Sequence, residues 1–169
     1  SEKLITLSGK KLQPKRNHLN YFTSNYNWSY EQLSSGMLGE ILDFNHEWCR
    51  RIECNKYETL SWESCAVEKC LGNYNELNLT GGVLRVEGEI VAYTIGEVLN
   101  SDTVIVHIEK AFSDIRGAYP MINREFVSVL GKDFKYVNRE DDIGDKGLRQ
   151  AKESYYPIIM LEKFTAELF

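Results

Sequence analysis

A chain of 169 residues, 43% hydrophobic and 27% charged, has the size and balance of one domain around one core, which excludes disordered and fibrous classes. No stretch approaches the roughly 20 consecutive apolar residues of a membrane span, and the opening SEKLITLSGKK has no apolar run of the kind a secretory signal needs. The net charge of −5 is uneven, because residues 1–20 carry Lys3, Lys10, Lys11, Lys15 and Arg16 against the single acid Glu2. The acidic remainder excludes broad contact with nucleic acid or anionic lipid and leaves open a local one through Lys15, Arg16 and His18. A solvated basic helix face reads equally well.

In chain order, Ser8 is placed to cap a helix over 11–21, with Pro14 in its first turn. TSNYNWSYEQLS, residues 23–34, reads as extended. Residues 36–54 form a helical pattern with Leu38, Ile41, Leu42, Trp48, Cys49 and Ile52 on one face, and 58–75 repeat it through Leu60, Val67, Cys70, Leu71 and Tyr74. Both C-x4-C pairs, Cys49/Cys54 and Cys65/Cys70, fall in these segments. Four cysteines match the ligand count of zinc, but a helical spacing of five turns the side chains of each pair apart. The expectation is therefore four free, packed thiols, no metal, no disulfide and a reducing, cytoplasmic compartment.

After Thr80 the texture changes. GGVLRVEGEIVAYTIGEVL alternates and breaks at Glu87-Gly88, which predicts a hairpin. TVIVHIEKAF predicts a third, central strand, SDIRGAYP a turn, and residues 117–130 a helix with Ala118, Ile122, Phe126 and Leu130 inward and Pro120 in the first turn. Strand FKYVN, acidic loop REDDIGD, short helix GLRQAKES and a last strand YPIIMLEKF complete an α/β domain, a mixed sheet flanked by helices.

Three places can carry chemistry. The turn before the helix holds Arg116 and Gly117, where free N–H groups and close backbone approach suit phosphate or carboxylate; an ordinary connection looks the same. The cluster Asn138, Arg139, Glu140, Asp141, Asp142, Asp145 and Arg149 follows a strand end, where ligands bind in open α/β sheets. On the central strand, alternation puts His107 and Glu109 on one face. Together they can position and deprotonate an amine, or form a structural His–acid pair.

KKLQPKRNH (10–18), GGVLRVEGEIVAYTIGE (81–97), VHIEKA (106–111), GAYPMINREF (117–126) and YVNREDDIGDKGLRQAKESYYP (136–157) resemble the phosphatidylglycerol lysyltransferase C-terminal-domain family, of DUF2156 type. The resemblance implies a GNAT-like (acyl-CoA N-acyltransferase) fold related to the Fem-type aminoacyltransferases, in bacterial proteins usually built as tandem units. On that pattern residues 1–30 are the tail of a preceding unit or an N-terminal helix, and 31–169 are the C-terminal domain. Classical acetyltransferases wrap the coenzyme A pyrophosphate with (Q/R)-x-x-G-x-(G/A); the aligned residues here are Asp114, Gly117 and Tyr119, of which only the glycine is kept. Asn138 and Tyr155 (or Tyr156) stand where that family has a recurrent Asn and Tyr.

The resemblance implies an aminoacyl transferase that moves an amino acid from an activated ester, aminoacyl-tRNA, to an amine or hydroxyl of a small-molecule, peptide or lipid acceptor. Glu109 and His107 would orient or deprotonate the acceptor, and Tyr155 would protonate the departing oxygen. Lys110, Arg116, Gly117, Asn138, Arg139, Asp142 and Arg149 would hold substrate. No resident cofactor is required. The alternatives are an N-acetyltransferase using acetyl-CoA and a non-catalytic GNAT-like module or fragment, either one open to homodimerisation.

Overall fold

Glu87 and Gly88 reverse the chain with positive φ at both residues, 51° and 87°, the backbone that matches the twist of a two-residue hairpin. They join β2 (Thr80–Val86) to β3 (Glu89–Asn100), the longest strand of a five-stranded sheet. The computed structural model describes residues 1–168. Strand order follows chain order: β1 (Trp28–Gln32), β2, β3, β4 (Thr103–Ala111) and β5 (Tyr136–Asn138). The first four are antiparallel, and β5 runs parallel to β4.

Alternation along β2 and β3 sends Leu84 and Ala92 to one face, and Val83, Tyr93 and Ile95 to the other. The first face is covered by α1 (Glu2–Thr6), α2 (Gln13–Asn25) and α5 (Ala118–Val129) through Leu7, Leu12, Leu19, Phe22, Met121 and Ile122. Residues 1–30 thus contribute side chains to the same core as the sheet. The second face is covered by α3 (Leu38–Arg51) and α4 (Glu58–Gly72) through Ile41, Phe44, Val67 and Leu71. A last helix, α6 (Lys146–Glu153), follows β5, with Asp145 accepting the Leu148 N–H as its cap. No helix of the described residues is long and apolar enough to cross a membrane.

Several expectations are corrected. Ser8 caps no helix: Gly9 takes φ 90°, a short 3-10 turn covers Lys10–Leu12, and α2 begins at Gln13 with Pro14 in its first turn. Arg16 is drawn into this entry, donating to the carbonyls of Leu7 and Gly9. The helix expected over 36–54 stops at Arg51, and Glu53 turns left-handed with φ 56°. That reversal takes Cys54 out of the helical phase that kept it from Cys49. The two Cα atoms lie 5.0 Å apart and the sulfurs form a disulfide, so the expectation of four free thiols fails; Cys65 and Cys70 are free.

YPIIMLEKF forms no strand. Ile158, Met160 and Leu161 are 76%, 72% and 75% exposed. Strand propensity expresses packing against neighbouring strands, and β5 is only three residues long and pairs only with β4. β4 is interior only in part, since β5 pairs it across Thr103–Ile105 and leaves the rest of that side open.

The second core contains a small polar network. The Tyr93 hydroxyl donates to Asn45 Oδ1 at 3.2 Å, and Asn45 Nδ2 donates to Ser64 Oγ at 3.3 Å, tying β3 to α3 and α4. Asn45 and Tyr93 have no exposed surface. Tyr93→Phe is expected to cost about 1–3 kcal/mol, because it strands a buried amide oxygen; the urea midpoint at unchanged slope measures it.

Candidate active site

The pairing of β4 with β5 ends at Ile105 and Asn138, while β4 continues to Ala111. The strands separate there, and the opening is bridged by side chains. Glu109 points from β4 toward α5, where its Oε2 accepts from Asn123 Nδ2 at 2.8 Å. Its Oε1 accepts from Arg139 Nη2, also at 2.8 Å, immediately beyond β5. Both side chains are largely buried, Glu109 at 13% and Arg139 at 17% exposure.

Tyr155 closes the floor. Its ring lies 4.7 Å from the Arg139 guanidinium and 4.2 Å from Lys15 Nζ, which arrives from α2. Burial pushes the Tyr155 phenol above its ordinary value, and the Arg139 cation opposes the shift. Burial, then Arg139, lower Lys15, with Glu109 opposing. Lys152 is lowered in the same way, by burial first, and its Nζ donates to the carbonyls of Arg139 at 2.5 Å and Asp141 at 2.6 Å. Three cations thus face one carboxylate. Arg139 Nε and Nη1 and Asn123 Oδ1 are buried with no hydrogen-bond partner among the described residues. Unpaired buried donors on a guanidinium are costly, and an anionic ligand satisfies them through charge-assisted bonds. His18 lies on the rim, lowered by burial, then by Arg116 and Lys15.

The other residues singled out in the sequence divide. Tyr156 is outside the cluster, exposed under Lys11. His107 does not join Glu109. In the register Ile95 pairs Ile108 and Gly96 pairs Val106, so His107 is the extra residue of a β-bulge. The imidazole instead bridges Glu97 and Glu140, 3.1 Å from each. Lys110 faces the opposite side of the sheet, 3% exposed, 3.0 Å from Glu63 and 3.6 Å from the Trp48 ring centroid; burial lowers it and Glu63 opposes. It is thus turned away from Glu109 and Arg139.

Asn138 accepts the Glu140 N–H at 2.9 Å, and Asp142 pairs with Arg149 at 2.5 Å while accepting the Gly144 N–H, so these three shape the loop. Arg116 stacks on Tyr21 at 4.1 Å. Gly117, with φ 92°, serves a contact different from the expected one. A Cβ there would stand 2.6 Å from the His18 carbonyl oxygen and 3.1 Å from Phe22 Cβ. Its bare backbone admits α2, where a ligand was expected. Asp114, at the position that opens the pyrophosphate pattern, is paired with Arg51 at 3.3 Å. Sequence reasoning missed Asn123 and Lys152; Asn123 had a signal, a polar residue inside the apolar stripe of α5.

Against known proteins, the family model for phosphatidylglycerol lysyltransferase, C-terminal, matches residues 1–167. A conserved protein of Bacteroides thetaiotaomicron, described as of unknown function, superposes with a TM-score of 0.91 at 44% identity, over 94% of this chain and 54% of that one. An uncharacterised protein of Mycoplasmoides gallisepticum is 25% identical over 99% of this chain and 54% of its own length. The chain therefore spans about half the length of these relatives. The C-terminal domain (DUF2156) of an Agrobacterium fabrum protein assigned as a lysylphosphatidylglycerol synthetase shares the fold, with a TM-score of 0.58 at 16% identity over 89% of this chain and 53% of that one. A ribosomal-protein-alanine N-acetyltransferase of Brucella melitensis shares it at 0.54 and 10%, over 84% and 97%. The fold is thus GNAT-like. With the family model matching nearly end to end, the chain belongs to the phosphatidylglycerol lysyltransferase C-terminal family.

Proposed function

We propose that the protein is an aminoacyl transferase that takes an amino acid from an ester donor, aminoacyl-tRNA, to an amine or hydroxyl acceptor. The observation that carries this reading is the carboxylate of Glu109, fixed by Asn123 and Arg139 at the opening between β4 and β5 and surrounded by Lys15, Lys152 and unpaired Arg139 donors. The acceptor's N–H or O–H gives its proton to Glu109 as its nitrogen or oxygen bonds to the ester carbonyl. The C–O bond to the donor then breaks, and the departing oxygen takes the Tyr155 proton. The phenol's raised pKa keeps that proton in place until a strongly basic alkoxide appears. Positioning supplies much of the rate, because ester aminolysis is not hard thermodynamically. A phosphate or carboxylate of the donor falls to Arg139, Lys15 and the His18 rim.

A coenzyme A donor fits less well, since Asp114 and Arg51 pair at the turn and α2 packs on Gly117. The test is thermal stabilisation by a non-hydrolysable aminoacyl-adenosine 5′-phosphate analogue, by coenzyme A and by acetyl-CoA. A ligand at 100 times its Kd stabilises by about 2.7 kcal/mol. A shift with the aminoacyl analogue alone supports the reading, and a shift with coenzyme A alone replaces it with acetyl transfer.

The same titration carries a pH signature. The His18 pKa is lowered in the free protein, and an anion beside it raises it, so protons are taken up on binding. Affinity is expected to rise as the pH falls through the window between the lowered value and the ordinary 6.5, and His18→Ala is expected to abolish the rise. Calorimetry in buffers of different ionisation enthalpy reads the proton count.

A further inference from the structure

Three of the four cysteines gather at the end of α3, away from the site just described. Cys49 and Cys54 are bonded, and Cys65 on α4 is free and exposed. All three line one open cavity of about 630 Å³, bounded also by His46, Arg50 and Glu68. None of the residues around Glu109 lines it. Cys54 is 6% exposed, whereas Cys49 is half-buried, so Cys49 is the more accessible residue of the pair. The remaining thiol, Cys70, is outside this cavity.

The bonded turn is mechanically connected to the turn that opens α5. Trp48 Nε1 donates to the Ala111 carbonyl at 3.1 Å, and the Arg51 guanidinium lies 3.7 Å from the Phe112 ring centroid and 3.3 Å from Asp114. Trp48 precedes Cys49 directly, and Arg51 lies within the loop that the Cys49–Cys54 bond closes. With the bond intact the last turn of α3 is tied to the residues after it; with the bond open that turn is free to fray, as helix ends do. Arg51 then loses its fixed place against Phe112 and Asp114, at the strand end two residues beyond Glu109.

We propose that Cys49–Cys54, with Cys65 beside it, is a reversible thiol–disulfide switch operated by low-molecular-weight thiols, and that its state sets the order of the Phe112–Gly117 turn. In the opening step a thiolate attacks Cys49 Sγ. A new S–S bond forms to Cys49, the Cys49–Cys54 bond breaks, and Cys54 leaves as a thiolate that takes up the attacker's proton. A second external thiol attacks the sulfur of the first, releasing Cys49 and an external disulfide. Two thiols are thereby oxidised and the protein disulfide is reduced by two electrons. Closure is the reverse, with the low-molecular-weight disulfide as oxidant. Neither the exchange nor its effect on the turn rests on the reading of Glu109 as a base.

The test equilibrates the full chain in glutathione buffers from fully reduced to fully oxidised. Alkylation with peptide mapping follows the thiols, and hydrogen exchange follows the backbone. The expected result is a reversible Cys49–Cys54 link, with protection lost on reduction at the amides of Ile115 and Ala118, which donate to Phe112 and Ile115 in the closed turn. Cys49→Ser is expected to show the reduced exchange pattern in every buffer, and Cys54→Ser to trap Cys49 in a disulfide with glutathione or with Cys65. Four alkylated thiols in oxidised buffer, or Cys49 recovered unmodified in Cys54→Ser, overturn the switch. A link that forms and breaks with no change at Ile115 and Ala118 overturns its coupling to the turn. None of these readouts requires activity, so failure of the proposed aminoacyl transfer leaves this test intact.

Discussion

Glu109→Gln is expected to lower aminoacyl transfer by about 10²- to 10⁴-fold, the usual contribution of a positioned general base, with the fold retained. Glutamine keeps the shape and length of the side chain. Its amide oxygen can still accept from Arg139, and its nitrogen can donate to Asn123 once that amide turns over, because Asn123 Oδ1 has no partner among the described residues. The substitution removes proton acceptance and the negative charge that faces Arg139, Lys15 and Lys152, while keeping the side chain's shape. Single-turnover transfer from a charged tRNA, with the melting temperature measured on the same protein, separates the two effects. Unchanged turnover at unchanged stability would remove Glu109 from the mechanism, whereas a loss that tracks unfolding would make the residue structural. If Tyr155 supplies the proton to the leaving oxygen, Tyr155→Phe should lose rate with ordinary alkoxide donors and recover most of it with an activated phenyl ester.

Arg139→Ala carries the largest expected effect on stability. Removing one partner of a buried ion pair typically costs 3–5 kcal/mol, because the other charge is left uncompensated. Glu109 is the charge left behind here, held 2.8 Å from the guanidinium with most of its surface covered. The lower end of the range is expected, since Lys15 and Lys152 remain close enough to be raised by Glu109. A domain of this size has about 5–15 kcal/mol in total, so the variant should lose a large share of its denaturant midpoint. Replacing Glu109 and Arg139 together by leucines is expected to recover part of the loss, because the buried carboxylate is then gone, although Lys15 and Lys152 lose it as a counter-charge. A double variant no more stable than Arg139→Ala would locate the cost in lost packing on Tyr155 instead of in the orphaned carboxylate.

Much of the fold is legible in residue order. The hairpin at Glu87-Gly88, the helix after Gly117 with Pro120 in its first turn, and the amphipathic helices α3 and α4 follow from periodicity and local backbone preference, which act over a few residues. The site is legible as a set of strand ends: Glu109 and Arg139 each stand where a strand runs out, and Tyr155 follows the last helix. Their convergence with Lys15 from the far end of the chain is not legible, because no local pattern reports which helix lies over which strand.

Where the reading and the structure part, either a non-local contact or the backbone conformation of a single residue is responsible. Strict alternation put His107 beside Glu109, and one unpaired residue in the β3–β4 register separates them. Helical spacing kept Cys49 from Cys54, and a left-handed Glu53 bends the chain until they meet. Gly117 looked like a phosphate cradle by its type and place, yet the His18 carbonyl takes the space its missing Cβ leaves. The apolar run after Pro157 looked like a strand, but it pairs with none of the strands and its side chains stay exposed. The amino-acid order alone determined the elements, the two apolar faces of the sheet and the kind of chemistry available, because those depend on side-chain type and short-range geometry. Tertiary structure decided which charges became partners and where the opening in the sheet lies, because those depend on contacts between residues far apart in the chain, whereas the Cys49–Cys54 bond turned on the backbone of one residue, Glu53.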